Sequence, residues 1–156
     1  MQRRLIFGLP ALGIVGALFF WLAPSQTSGL DLHLDEKAIV LGKALYLEDC
    51  ASCHGANLEG QPDWHSRDAD GYLPAPPHDE TGHTWHHPTE QLFDITKRGT
   101  EAVVGGGYKS KMIGFEDALS DDQIYTILAY IKSTWPERII ERHNQIDANF
   151  ASAKRP

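Results

Sequence analysis

The chain has 156 residues, 42% of them hydrophobic and 22% charged, which leaves room for one compact domain and a leader segment but not for two ordinary domains. Its formal charge is −7, and two of the 14 basic residues, Arg3 and Arg4, precede all 21 acidic ones, so the part beyond residue 24 stands at −9. That balance excludes nucleic acid as a partner, since a phosphate backbone demands a positive face.

Arg3 and Arg4 form a basic start, and Leu5 to Ala23 holds no charged side chain. A bilayer-spanning helix needs about 20 apolar residues, whereas the apolar part of a cleaved signal is about 7–15. Ala23-Pro24-Ser25 is a poor cleavage site because it contains proline. Residues 1–24 are therefore read as a retained membrane anchor, with cleavage as the rival. In either case the arginines stay cytoplasmic and the rest is exported.

Residues 25–34 form a short polar tether. The spacing of Ile39, Gly42, Leu45 and Tyr46 predicts a helix from Asp35, which caps it, to about Asp49. Gly55 to Pro88 has no sustained apolar period, and a loop of that length in a small domain is usually wrapped around something. A short helix is predicted over Thr89–Arg98, ended by Gly99, and Gly105-Gly106-Gly107 reads as a flexible turn. Ser120 and Gln123 have capping-box spacing ahead of an apolar face of Ile124, Ile127, Leu128 and Ile131. Pro136 interrupts that helix. Glu137 to about Asn149 is predicted to resume as a separate, more exposed helix with proline at its first position. No segment alternates as a strand, so the domain is expected to be all-α. Its divisions are 1–24 anchor, 25–34 tether, 35–135 main domain and 136–156 C-terminal helical extension.

The two cysteines stand in one run, Cys50-Ala51-Ser52-Cys53-His54. Such closely spaced cysteines are a local chemical site rather than a disulfide framework. Two intervening residues place the thiols about one helical turn apart, within reach of the two vinyl groups of one porphyrin, and deliver His54 beneath the iron. The pattern is that of covalent c-type haem attachment. A thioredoxin-like pair needs a βαβ setting, and a zinc site needs four ligands at a familiar spacing; neither is present.

The run Gly42-x3-Tyr46-x3-Cys50-Ala51-Ser52-Cys53-His54-Gly55 resembles the first helix and haem site of class I cytochrome c. Leu119-Ser120-Asp121-Asp122-Gln123-Ile124, continuing to Ala129-Tyr130-Ile131-Lys132, resembles that family's C-terminal helix. The resemblance covers about residues 36–135. It implies a fold in which these two helices cross, with Gly42 allowing close approach and the rest of the domain wrapping one haem c. The stretches Leu73-Pro74-Ala75-Pro76-Pro77-His78-Asp79 and Gly82-His83-Thr84-Trp85-His86-His87 look similar to a subgroup of small bacterial membrane-anchored cytochromes.

Met112 is the one methionine beyond the initiator. The resemblance implies that it is the distal ligand, in the loop before the last helix, although Ile113 follows it where the family usually has proline. A thioether ligand raises the potential of a His-ligated haem; the plain alternative is a core-filling methionine. His78, His83, His86 and His87 are further candidates, either as iron ligands replacing Met112 or as ligands of a second metal such as copper. Their plain reading is to line the loop or bond the haem propionates. The resemblance also implies a proline carbonyl that accepts the proton of the proximal histidine, for which Pro74, Pro76 and Pro77 are candidates. Trp64 and Trp85 either cover a haem edge, bond a propionate or fill core. His33, His65 and His143 are expected on the surface.

These readings favour a non-enzymatic, single-electron carrier with redox protein partners at the outer face of the cytoplasmic membrane. Two alternatives make different demands. A gas sensor or enzyme needs an open iron position, and a copper-handling accessory needs the loop histidines to converge.

Overall fold

The computed structural model describes residues 32–155. Six α-helices run in chain order: α1 Glu36–Asp49, α2 Ala51–His54, α3 Thr89–Arg98, α4 Thr100–Val104, α5 Asp121–Ser133 and α6 Glu137–Ala153. Short 3₁₀ turns lie at Leu32–Leu34 and Thr84–His86, and the described residues form no strand. Residues 1–24 and most of the tether lie outside the described residues. No described helix is long and apolar enough to cross a membrane.

α1 starts where Asp35 accepts hydrogen bonds from the Lys37 and Ala38 amides at 2.8 and 3.3 Å, satisfying two of the donors that a helix start leaves unpaired. α5 starts with a complete capping box. The Gln123 amide donates to Ser120 Oγ at 3.3 Å and the Ser120 amide to Gln123 Oε1 at 2.9 Å. The two helices cross at Gly42. A Cβ there would stand 2.1 Å from the Thr126 carbonyl oxygen, so only glycine lets the backbones meet this closely. Tyr46, Ile124 and Ile127, almost wholly buried, form the centre of the core at this crossing. Each such side chain contributes about 1.5–3 kcal/mol by leaving water.

Gly99 ends α3 with φ +83°, as the sequence predicts, and the chain at once re-enters a helical turn, α4, that the sequence reading does not contain. Pro136 stands one position earlier than expected, as the cap of α6, where its carbonyl receives the Ile139 and Ile140 amides.

The last helix is more exposed than α5, as expected, but it is not solvated all round. Ile139, His143 and Asp147, four residues apart, form a buried stripe on α6. His143 Nε2–H donates to the His87 carbonyl at 3.0 Å, and its Nδ1 lies 3.4 Å from the Asp147 carboxylate. Asp147 in turn accepts from the Thr89 amide at 2.6 Å and the Thr89 hydroxyl at 2.9 Å. His143, expected on the surface, and Asp147 are buried because each finds a partner across the helix junction. His33, in the 3₁₀ turn at the end of the tether, is also buried rather than on the surface, while His65 is exposed as expected.

Candidate functional site

α2 is a single turn that, with Cys50 as its cap, carries the Cys50–His54 motif. The His54 amide donates to the Cys50 carbonyl at 3.0 Å, and the Gly55 amide to that of Ala51 at 2.9 Å. Gly55, at φ +82°, then turns the chain away. Tyr46 fixes this turn from α1: its hydroxyl donates to the Gly55 carbonyl at 3.0 Å. Cys50 is buried, Cys53 is exposed, and neither is in a disulfide. Burial, reinforced by Asp49 and Cys53, pushes the Cys50 thiol up to about 12.

His54 is 6% exposed, and its Nδ1 lies 2.8 Å from the Pro76 carbonyl oxygen. A carbonyl only accepts, so Nδ1 carries the proton and the lone pair available to a metal is on Nε2. Burial holds the His54 pKa below the usual imidazole value, the Pro76 bond opposing, so the ring stays neutral as metal ligation requires. Of the three candidate prolines, Pro76 is the one that orients this histidine. Two thiols one turn apart on a surface helix, followed by a buried neutral imidazole with Nε2 unprotonated, fit covalent haem attachment.

The long loop reaches this position by folding back on itself. The Gly60 amide donates to the His54 carbonyl at 2.7 Å, and the Gln61 amide to Ala75 at 2.9 Å. The Gln61 side chain accepts from the Ala75 amide at 2.9 Å, and the His78 amide donates to Leu58 at 2.8 Å. Leu58 holds φ at +68° without being glycine, a conformation that costs about 1–3 kcal/mol and persists where its surroundings over-determine it.

Met112 lies on a separate segment, after α4. Its amide donates to Ser110 Oγ at 3.1 Å, and its carbonyl accepts from Thr100 at 3.3 Å. The following residues are stapled to the end of α3, with Phe115 donating to Thr96 at 3.0 Å and Glu116 to Lys97 at 3.0 Å. A Cβ on Gly114 would stand 2.7 Å from the Lys97 carbonyl oxygen, so glycine is required where this strip passes the helix end. Ile113, in the place of the expected proline, is 68% exposed.

The histidine-rich loop divides. His78 stacks on the His54 ring, with centroids 3.9 Å apart and planes at 21°. A face-to-face stack does not aim both rings at one iron from opposite sides, so as placed His78 does not replace Met112. His83 lies 5.3 Å from His86 and 4.7 Å from His87 by ring centroids. Even so, among the described residues no set of three or more His, Cys, Asp or Glu side chains is arranged to hold a metal ion, which removes the support for a copper site. Burial and the neighbouring His83 hold His86 and His87 below the usual imidazole range. Trp85 donates its indole N–H to the Glu80 carbonyl at 3.2 Å and packs against the core, so that group is not left for a propionate. Trp64 is half-buried against His65.

One residue that the sequence reading did not single out, Trp135, joins the end of α5 to this loop. It is 4% exposed and donates its indole N–H to the His78 carbonyl at 2.8 Å. The available signal was a large aromatic residue just before Pro136.

The family model that matches is that of cytochrome c, over residues 39–135, well over half of the chain. The chain is 30% identical to a nitrite reductase of Stutzerimonas stutzeri, over 78% of this chain and 20% of that protein. It is 39% identical to the cytochrome c subunit of the cytochrome bc1 complex of Mycobacterium bovis, over 40% of this chain and 24% of the relative. The corresponding subunit of Mycobacterium tuberculosis matches to the same extent. The chain thus spans about a fifth to a quarter of the length of these curated relatives, and no solved structure matches. The chain belongs to the cytochrome c family, and the cofactor that this family carries is covalently bound haem c.

Proposed function

We propose that the chain is a single-electron carrier in which Cys50 and Cys53 bind one haem by thioether bonds, His54 Nε2 is the proximal iron ligand and Met112 the distal one. The observation that carries this reading is the buried, neutral His54, whose Nδ1–H is committed to the Pro76 carbonyl at 2.8 Å. The bound haem would supply a one-electron iron couple whose potential a thioether ligand raises. The protein's own contributions are separate from that couple. Pro76 orients the ligand and raises its basicity, Tyr46 pins the turn behind it, and the Phe115 and Glu116 bonds to α3 fix the segment that brings Met112.

We place the chain among carriers rather than reductases, because the likeness to nitrite reductase extends over a fifth of that protein and does not bring its activity with it. The likeness to a bc1 complex cytochrome c subunit supports redox proteins of a respiratory complex as partners. Retention at the outer face of the cytoplasmic membrane rests on the uncharged segment Leu5–Ala23 behind Arg3 and Arg4. Leu34, in the 3₁₀ turn at the start of the described domain, and Val40 and Leu47 on α1 are exposed apolar side chains, in agreement with a position close to lipid.

The test is carbon monoxide binding and redox titration of the full chain and of Met112→Ala. The native protein is expected to be low-spin and indifferent to carbon monoxide, whereas Met112→Ala binds it and has a lower potential. Ready binding by the native protein would sink Met112 ligation and favour a sensor or an enzyme with an open position.

A further inference from the structure

The Pro76 bond restrains the His54 imidazole at Nδ1, and a single hydrogen bond still lets the ring librate about Cβ–Cγ. A second constraint is present. His78 lies flat on the His54 ring at 3.9 Å and 21°. Its own place is fixed from both sides of its backbone, with the amide bonded to Leu58 at 2.8 Å and the carbonyl receiving Trp135 Nε1 at 2.8 Å. Tyr46 closes the remaining side edge-on, its ring centroid 5.8 Å away at 63°. The His78 ring is therefore a wall held by Tyr46 of α1, by Trp135 and by the loop.

His78 Nδ1 is buried and has no hydrogen-bond partner. A side chain present only to fill this space would better be apolar, since a buried polar atom without a partner is unfavourable. What an imidazole offers here that a branched aliphatic chain does not is a flat face.

We propose that His78 is a positioning residue for the haem ligand: stacked on His54, it stiffens the plane of that imidazole, which the Pro76 bond alone leaves free to librate. The inference rests on His54 being the proximal ligand. The orientation of an axial imidazole plane governs the spread of the haem-methyl proton shifts and the g-anisotropy of a low-spin ferric haem, so both can be read without any activity assay.

The experiment compares full-length native protein with His78→Phe, which keeps a flat ring without nitrogens, and His78→Leu, which removes the flat face. His78→Met replaces the leucine variant if that one yields no holoprotein. The expected result is that the methyl-shift pattern and g-values are kept in His78→Phe and changed in the aliphatic variant, with the reduction potential shifted only in the latter. If both variants match the native protein, His78 is filler and the proposal falls. If both change alike, the imidazole nitrogens act on the haem directly, and the stacking account also falls. Failure of the ligand assignment itself looks different: the native protein would then lack a low-spin spectrum with histidine nitrogen bound to iron, before any variant is compared.

Discussion

Replacing Gly42 by alanine tests the helix crossing on which the site is built. The added Cβ would stand 2.1 Å from the Thr126 carbonyl oxygen and 2.9 Å from Tyr130 Cβ. The nearest obstacle is backbone, so no side-chain rotation relieves it, and α1 and α5 must part by about 1 Å to reach a tolerable carbon–oxygen distance of about 3.3 Å. A gap of that size forfeits about a quarter to a half of the dispersion attraction across the contact. Overpacking of this kind costs about 1–3 kcal/mol, here at the upper end because backbone is struck, and the better helix propensity of alanine returns about 1. The net expectation is a loss of about 2 kcal/mol, or a fall in Tm of about 8 °C for a domain of this size. The assay is thermal and guanidinium unfolding of the full-length haem protein followed by circular dichroism. Ala44→Gly, on the exposed side of the same helix, calibrates the propensity effect alone at about 1 kcal/mol. A Gly42→Ala protein as stable as the native one, or more stable, would refute the reasoning.

Trp135→Phe removes the indole donor to the His78 carbonyl and is expected to lower stability by about 1–3 kcal/mol, read from the denaturant midpoint at unchanged slope. Thr89→Val deletes one of two hydrogen bonds to the buried Asp147 carboxylate, with an expected loss of about 1.5–3 kcal/mol in a single unfolding transition; a separate, earlier transition of α6 would show that it is not part of the same cooperative unit. His86 and His87 have folded pKa values below the unfolded value of about 6.5. The unfolded chain therefore binds more protons below that pH. Their contribution is fully present above about pH 6.5 and is lost as pH falls through their folded values. Unfolding midpoints measured from pH 7 downward should slope less in His86→Gln/His87→Gln than in the native protein, and parallel curves would contradict this.

Much of the frame was legible because its signals are local. Asp35 before an apolar period, the Ser120–Gln123 pair and Gly99 after a short helix each carry their own physical cause, and each stands where the sequence places it. The attachment motif was legible for the same reason, as its spacing is its chemistry. What the sequence hid was chosen by tertiary contact. Three prolines within four residues look alike until the Gly60 amide takes the His54 carbonyl, the Gln61 amide takes that of Ala75, and Pro76 is set over His54. Four loop histidines look alike until one amide bond to Leu58 takes His78 inside and leaves His83 and His86 exposed. His143 reads as surface because burial of a polar group depends on a partner, here the His87 carbonyl, that lies more than fifty residues away.

The central claim is that one haem is covalently held by Cys50 and Cys53 beneath a His54 ligand, and the most direct test is mass spectrometry of the denatured, acid-extracted full chain and its proteolytic fragments. The account predicts one added haem per chain, confined to the fragment that contains Cys50–His54 and lost when both cysteines are replaced by alanine. A chain of unmodified mass, or haem that leaves with the acid extraction, would contradict it.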